Sequence, residues 1–235
     1  MLEAVSYRAG KAELTGYLAD GCRGQTAPGV LIAHEAIGMN DHVKGRAELL
    51  AELGYVAFAL DLYGSANLDL AEAQRKSAEL MRTPGLLLGR ARAGLDVLLS
   101  VPSVDRSRVA AIGFCQGGST VLELARNGAP LLAVVGFHPG FQRPAGSVDG
   151  RIGARVLMMS GDADPVITES DRASFIAEMR RAKADWQLHL FGGVGHSYTN
   201  PRIDEYGIAG FSYFPGADRR SWQLMRGMLE EVFGA

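Results

Sequence analysis

From Val30 to the C-terminus, short unbroken apolar runs take turns with longer segments of helical period, and few folds accommodate that alternation. The runs at 30–33, 55–60, 109–114, 133–137 and 155–160 have the length and continuity of strands covered on both faces. Between them, apolar residues recur at helical spacing from Asp41 through Ala47, Leu50 and Leu53, where Gly54 stops the pattern. Further helices are predicted over 68–82 and 86–99, divided by Thr83-Pro84-Gly85, and over 119–126, 168–182 and about 218–233. Residues 186–191 alternate as one more strand, and the first twenty residues alternate about Gly10-Lys11 as a β-hairpin. Parallel neighbours need long right-handed crossovers, and the helical segments supply them. The expectation is an α/β chain with a mainly parallel twisted sheet and helices on both faces.

At 235 residues the chain suits a single domain over 1–235. The formal net charge of −2 leaves no electrostatic footprint for nucleic acid, and no arginine or lysine run suggests a membrane surface. Two cysteines, Cys22 and Cys115, are too few for a disulfide framework. No His/Cys cluster has metal-ligand spacing, so neither metal nor cofactor is expected. With no apolar run before a small-residue cleavage site and no transmembrane stretch, the expected location is the cytoplasm.

The strongest chemical signal is Gly113-Phe114-Cys115-Gln116-Gly117-Gly118, between a strand and a helix. It is a nucleophile elbow, G-x-C-x-G, with sulfur in place of oxygen. Flanking glycines let strand and helix approach, and the helix N-terminus favours a thiolate. The alternative is an inert buried cysteine, and the elbow context argues for a nucleophile. In such folds the acid and then the base follow along the chain. Asp164 in Gly161-Asp162-Ala163-Asp164-Pro165 is the expected acid, with Asp162 as its rival. His196 in the glycine-rich loop 192–198 is the expected base. His189 lies inside a strand and His42 near a helix start, whereas His34 and His138 follow core strands without the downstream loop position of a base. Backbone N–H groups of Gln116 and Ala36 are the expected oxyanion donors.

Together with His34-Glu35-Ala36-Ile37-Gly38-Met39-Asn40, the segment Asp61-Leu62-Tyr63 and the Gly195-His196-Ser197 loop, these motifs make nearly the whole chain resemble the dienelactone hydrolase family. The resemblance implies an α/β-hydrolase fold and a Cys-His-Asp triad. It also implies that Glu35 joins the catalytic group by contacting the resting cysteine and gating its activation. The family archetype holds a substrate carboxylate with two arginines. Gln74-Arg75 matches one position, but the other, four residues after the histidine, is Asn200 here. An amide cannot replace a bidentate arginine, so neutral or less charged esters are the expected substrates. The cleft should lie at the C-terminal strand ends. Candidate substrate contacts there are Tyr63, Arg75, His138, Tyr198 and the segment 208–214 with Phe211, Tyr213 and Phe214.

The leading expectation is hydrolysis of carboxylic esters or lactones through a covalent thiol-bound intermediate, with a small-molecule ester as substrate and neither nucleic acid nor membrane as partner. Phosphotriester cleavage by the same cysteine is the second reading, and a non-catalytic ligand-binding module the third. The oligomeric state is left open, and Cys22 has no assigned role.

Overall fold

The computed structural model describes residues 2–65, 68–148 and 150–234. Eight strands form one sheet: β1 (Leu2–Ala9), β2 (Ala12–Asp20), β3 (Ala27–Ala33), β4 (Val56–Leu60), β5 (Val104–Phe114), β6 (Ala133–Phe137), β7 (Arg155–Gly161) and β8 (Trp186–Phe191). Their spatial order is β1-β2-β4-β3-β5-β6-β7-β8. The hairpin β1–β2 is antiparallel and joins β4 antiparallel, whereas every other pair is parallel. The helices are α1 (Asp41–Glu52), α2 (Leu70–Arg82), α3 (Leu86–Ser100), α4 (Gln116–Arg126), α5 (Glu169–Ala182) and α6 (Pro215–Phe233).

Strand residues alternate between two cores, because successive side chains point to opposite faces. Leu31, Phe58, Ala111, Val134 and Met158 pack beneath α3, α4 and α5 through Leu95, Leu122 and Phe175. Val30, Ile32, Ala57, Ile112, Val135 and Leu157 pack beneath α1 and α6 through Val43, Leu50, Met225 and Leu229. The central strands are therefore buried on both sides and read as unbroken apolar runs.

Several boundaries differ from expectation for physical reasons. β5 begins at Val104 rather than 109, because its polar first rungs still pair with Ala27 and Pro28 before a register shift at Gly29. α4 begins at Gln116 rather than 119, since Gly117 and Gly118 are helical despite poor intrinsic propensity; packing at the elbow overrides it. α6 begins at Pro215, whose fixed φ suits a first helical position. The helix expected from residue 68 starts at Leu70, where Asp69 and Glu72 form a capping box. No helix among the described residues is long and apolar enough to cross a membrane.

Candidate active site

The C-terminal ends of β3, β5, β7 and β8 converge on one cleft, and each contributes a group. Cys115 ends β5 with φ 50° and ψ −115°, a left-handed conformation that side chains rarely adopt. The surroundings hold that turn closed. A Cβ on Gly113 would lie 2.1 Å from Gly117 O, and one on Gly117 would lie 2.0 Å from Ala33 O. The Cys115 N–H donates to Phe137 O at 2.9 Å, tying the elbow to β6.

His196 sits in the loop after β8, in a one-rung parallel bridge with Phe211. Its N–H donates to Gly210 O at 2.9 Å, and its carbonyl accepts from Ser212 N at 3.2 Å. The imidazole spans two partners: Nε2 lies 3.1 Å from Cys115 Sγ and Nδ1 lies 2.7 Å from Asp164 Oδ2. Asp164 Oδ1 accepts from the Val166 and Ile167 N–H groups at 2.8 and 3.3 Å, which fixes the carboxylate. Asp162, the rival, is largely exposed and reaches only Arg172, at 4.0 Å. Burial works against a charged His196, but the charge on Cys115 sulfur and the Asp164 hydrogen bond outweigh it and lift the imidazole pKa to about 10.

The loop after β3 is braced from below. His34 Nε2 accepts the Leu62 N–H at 3.1 Å, so Nδ1 carries the proton and donates to Glu35 O at 2.6 Å. Burial keeps His34 below the ordinary histidine pKa, as that tautomer requires. The Tyr63 hydroxyl donates to Ala36 O at 3.0 Å. Ala36 and Gln116 both line the cleft, and the loop that carries Ala36 is held by specific hydrogen bonds. Ser77 Oγ donates to Gln116 Oε1 at 2.5 Å and fixes that side chain.

Glu35 is buried, with Oε2 accepting from Asn200 Nδ2 at 2.6 Å and lying 3.5 Å from His42 Nδ1. Burial alone would raise its pKa, but chiefly His42 brings it down to about 2. The Ser197 hydroxyl lies near enough to assist without making a hydrogen bond of normal geometry. Glu35 and Cys115 line the same cavity; the carboxylate hydrogen-bonds to Asn200, and the Cys115 sulfur to His196.

A cavity of about 330 Å³ opens over these groups. Ile37, Leu70, Met81, Val166, Ile203, Ile208 and Phe211 give it apolar walls, with Gln74, Ser77, Ser119 and Gln142 as neutral polar groups. Among the described residues, Glu35 and His196 are its ionisable lining residues besides Cys115, and no lysine or arginine lines it. A wider depression of about 610 Å³ lies beside the β1–β2 hairpin, lined by Tyr7, Thr15 and Lys44 among others, and none of the cleft groups reaches it.

Of the expected substrate contacts, Phe211 lines the cavity, its ring 4.6 Å from that of His196. Five others do not. Tyr63 is buried under the Ala36 loop and supports it. Arg75 points to solvent from α2, and its neighbour Gln74 faces the cavity instead. His138 is fully buried behind His196, with Nε2 2.8 Å from Thr199 Oγ1. Tyr198 packs edge-on against His138 and Phe191 in the interior. Phe214 precedes α6 on the surface, 42% exposed. Tyr213 hydrogen-bonds to Asp218 away from the cavity. Residue type did not single out Gln74, Ser77, Met81 and Ile203, because the lining depends on which turn of α2 and which face of the last loop is presented. Among the described residues no group of three or more His, Cys, Asp or Glu is arranged to hold a metal ion.

The model of the dienelactone hydrolase family matches residues 14–233. The chain is 40% identical to a dienelactone hydrolase-like promiscuous phosphotriesterase from metagenomic libraries, covering 99% of this chain and 98% of that one with a TM-score of 0.93. It is 32% identical to an uncharacterized protein of Caenorhabditis elegans over 63% of this chain and 96% of that protein. A probable 2-oxo-3-(5-oxofuran-2-ylidene)propanoate lactonase of Bradyrhizobium sp is 27% identical, with 76% of each chain covered. The fold is shared with the dienelactone hydrolase of Anabaena variabilis, at a TM-score of 0.64 and 21% identity.

Proposed function

Since the chain belongs to the dienelactone hydrolase family, we propose that it hydrolyses carboxylic esters or lactones with Cys115 as nucleophile, His196 as base and Asp164 as the acid that orients it. The observation that carries this reading is the hydrogen-bonded line from Cys115 Sγ through the His196 ring to Asp164 Oδ2, with steps of 3.1 and 2.7 Å.

The chemistry follows from that line. The Cys115 sulfur attacks the acyl carbon while the imidazolium of His196 stands beside it. The carbonyl oxygen becomes an oxyanion, held by the N–H groups of Gln116 and Ala36. Collapse breaks the C–O bond, and His196 Nε2 gives its proton to the departing alkoxide. In a lactone that alkoxide stays tethered to the acyl group. The neutral imidazole then takes a proton from water, hydroxide attacks the thioester, the C–S bond breaks, and the sulfur–imidazolium pair is restored. Asp164 holds the tautomer and stabilises the imidazolium throughout. The substrate is a small ester with a neutral acyl part, because no lysine or arginine among the described residues lines the cavity to hold a carboxylate. A reducing compartment such as the cytoplasm suits a free catalytic thiol.

The test compares p-nitrophenol release from a short-chain ester by the wild type and by Cys115→Ala. Turnover by the wild type with a silent variant supports the reading. Equal rates would remove Cys115 as nucleophile. The same cavity favours a second reading: an uncharged phosphotriester needs no carboxylate clamp, and its phosphoryl oxygen also gains charge at the oxyanion donors. The metagenomic relative is named for that activity. A chromogenic triester, tried with the same two proteins, decides it by whether Cys115-dependent release occurs.

A further inference from the structure

We propose that Asn200 and His42 latch the Glu35 carboxylate away from Cys115, so that the nucleophile stays paired with His196 whether or not substrate is present. The proposal rests on the Cys115 reading above and assigns Asn200 and His42 as positioning residues. It begins from register. In the parallel pair β3–β5, Ala33 stands opposite Gly113. Glu35 and Cys115 each lie two residues beyond, at matching positions past the ends of adjacent strands. Both line the same cavity. A carboxylate so close to a thiol disfavours the thiolate by like-charge repulsion. The sulfur nevertheless faces His196, because Glu35 is turned onto other partners.

Those partners are themselves fixed. Asn200 Oδ1 accepts the Arg202 N–H at 3.0 Å, which leaves its amide nitrogen as the end that meets Glu35 Oε2. His42 Nε2 accepts from Arg46 Nε at 3.3 Å, so its proton is on Nδ1, the nitrogen nearest Glu35. The His42 ring packs edge-on against Phe114, one residue before the nucleophile, with centroids 4.8 Å apart. Arg46 is anchored in turn by Asp218 Oδ1 at 2.6 Å and Thr199 O at 2.9 Å. A buried polar chain therefore runs from α6 through α1 to the loop after His196 and ends on Glu35. No step of the proposed mechanism needs any of its members. Glu35 Oε1 has no hydrogen-bond partner, so the latch grips one carboxylate oxygen and leaves the other free to follow if the grip is lost.

The test reads thiol reactivity without any ester. Full-length protein is treated with iodoacetamide at pH 7, and alkylation of Cys115 is followed by peptide mass spectrometry, which separates it from Cys22. Asn200→Leu removes the donor at similar volume. It is expected to slow Cys115 alkylation several-fold, because the nearby carboxylate returns the proton from His196 to sulfur in a larger share of molecules, and Asn200→Leu/Glu35→Gln to return within about twofold of wild type. A purely structural role for Asn200 would leave the double variant as slow as the single one, and that result overturns the latch. So does an Asn200→Leu rate equal to wild type. If Asn200→Leu does not fold, His42→Phe, alone and with Glu35→Gln, is read by the same criteria. A wild type that alkylates at Cys115 yet cleaves no ester sinks the hydrolase reading, while the variant rates still decide the latch.

Discussion

Asp164 Oδ2 lies 2.7 Å from His196 Nδ1, and the other oxygen of the same carboxylate is taken up by two backbone N–H groups. The carboxylate is thus clamped in one orientation. Asp164→Asn keeps the shape but offers His196 either an amide donor or a weaker acceptor. We expect kcat to fall by roughly 10³- to 10⁴-fold with little change in KM, the scale seen when a triad acid becomes an amide. Steady-state kinetics on a p-nitrophenyl ester checks this, and a loss under tenfold would remove Asp164 from the role.

The His196 pKa of about 10 stands above its ordinary value of 6.5. A group raised on folding stabilises fully below its unfolded pKa and ceases to do so as pH rises through the folded one. The wild-type Tm should therefore decline between pH 6.5 and 10. Burial opposes the charge, and the Cys115 sulfur is the largest contribution favouring it. Cys115→Ala should consequently show a shallower decline across that window in thermal melts. Identical slopes would separate the His196 charge from the sulfur.

His34 ties Glu35 O to Leu62 N. His34→Leu leaves the buried Leu62 N–H unpaired, at about 1–3 kcal/mol, and takes from Glu35 O one of its two donors, the other being the Gly38 N–H. The Ala36 N–H then loses its fixed position. The expected outcome is a lower denaturation midpoint together with a fall in kcat of about tenfold to a hundredfold, as small misplacements produce. Unchanged kcat in a folded variant would show that the loop holds itself.

Gly117 leaves no room for a methyl group. Its added Cβ would meet backbone oxygens of Ala33 at 2.0 Å and His34 at 2.9 Å, and backbone cannot swing aside as a side-chain tip can. Gly117→Ala should destabilise the fold by about 3 kcal/mol, the upper part of the overpacking range. Urea titration reads it directly. Gly45, with nothing within 4 Å of an added Cβ, is the control, and Gly45→Ala should cost little.

Gln74 faces the cavity from α2, where Arg75 does not. Gln74→Arg places a cation on a wall that has none. Relative kcat/KM should move toward an ester carrying a free carboxylate, by about tenfold against its neutral counterpart for a charge-assisted bond of ~1.5 kcal/mol. A ratio that does not move would show that the α2 wall does not meet the acyl group.

Much of this architecture was legible because each element announces itself locally. The buried strands read as apolar runs, and the elbow needs glycines where strand, helix and the end of β3 meet within a carbonyl's reach. Asp164 and Asp162 differ by position in the turn, and it is Asp164 that hydrogen-bonds to His196. What was not legible depends on where a side chain points after the backbone has turned. Tyr63 and His138 follow core strands like the cleft residues do, yet one braces the loop and the other backs the imidazole. Arg75 and Gln74 are adjacent in sequence, but a step of 100° around a helix separates cavity from solvent. The partners of Glu35 come from α1 and from the last loop, and no local pattern links residues 35, 42 and 200.

The groups that meet in the cleft come from the ends of four strands and are drawn from positions 36, 115, 164 and 196. None of these pairs is brought together by a single helix or hairpin. A nascent or partly unfolded chain therefore carries only an ordinary thiol, without base or oxyanion donors. Any enhancement of Cys115 over an ordinary thiol therefore requires the ends of β3, β5, β7 and β8 to be assembled together.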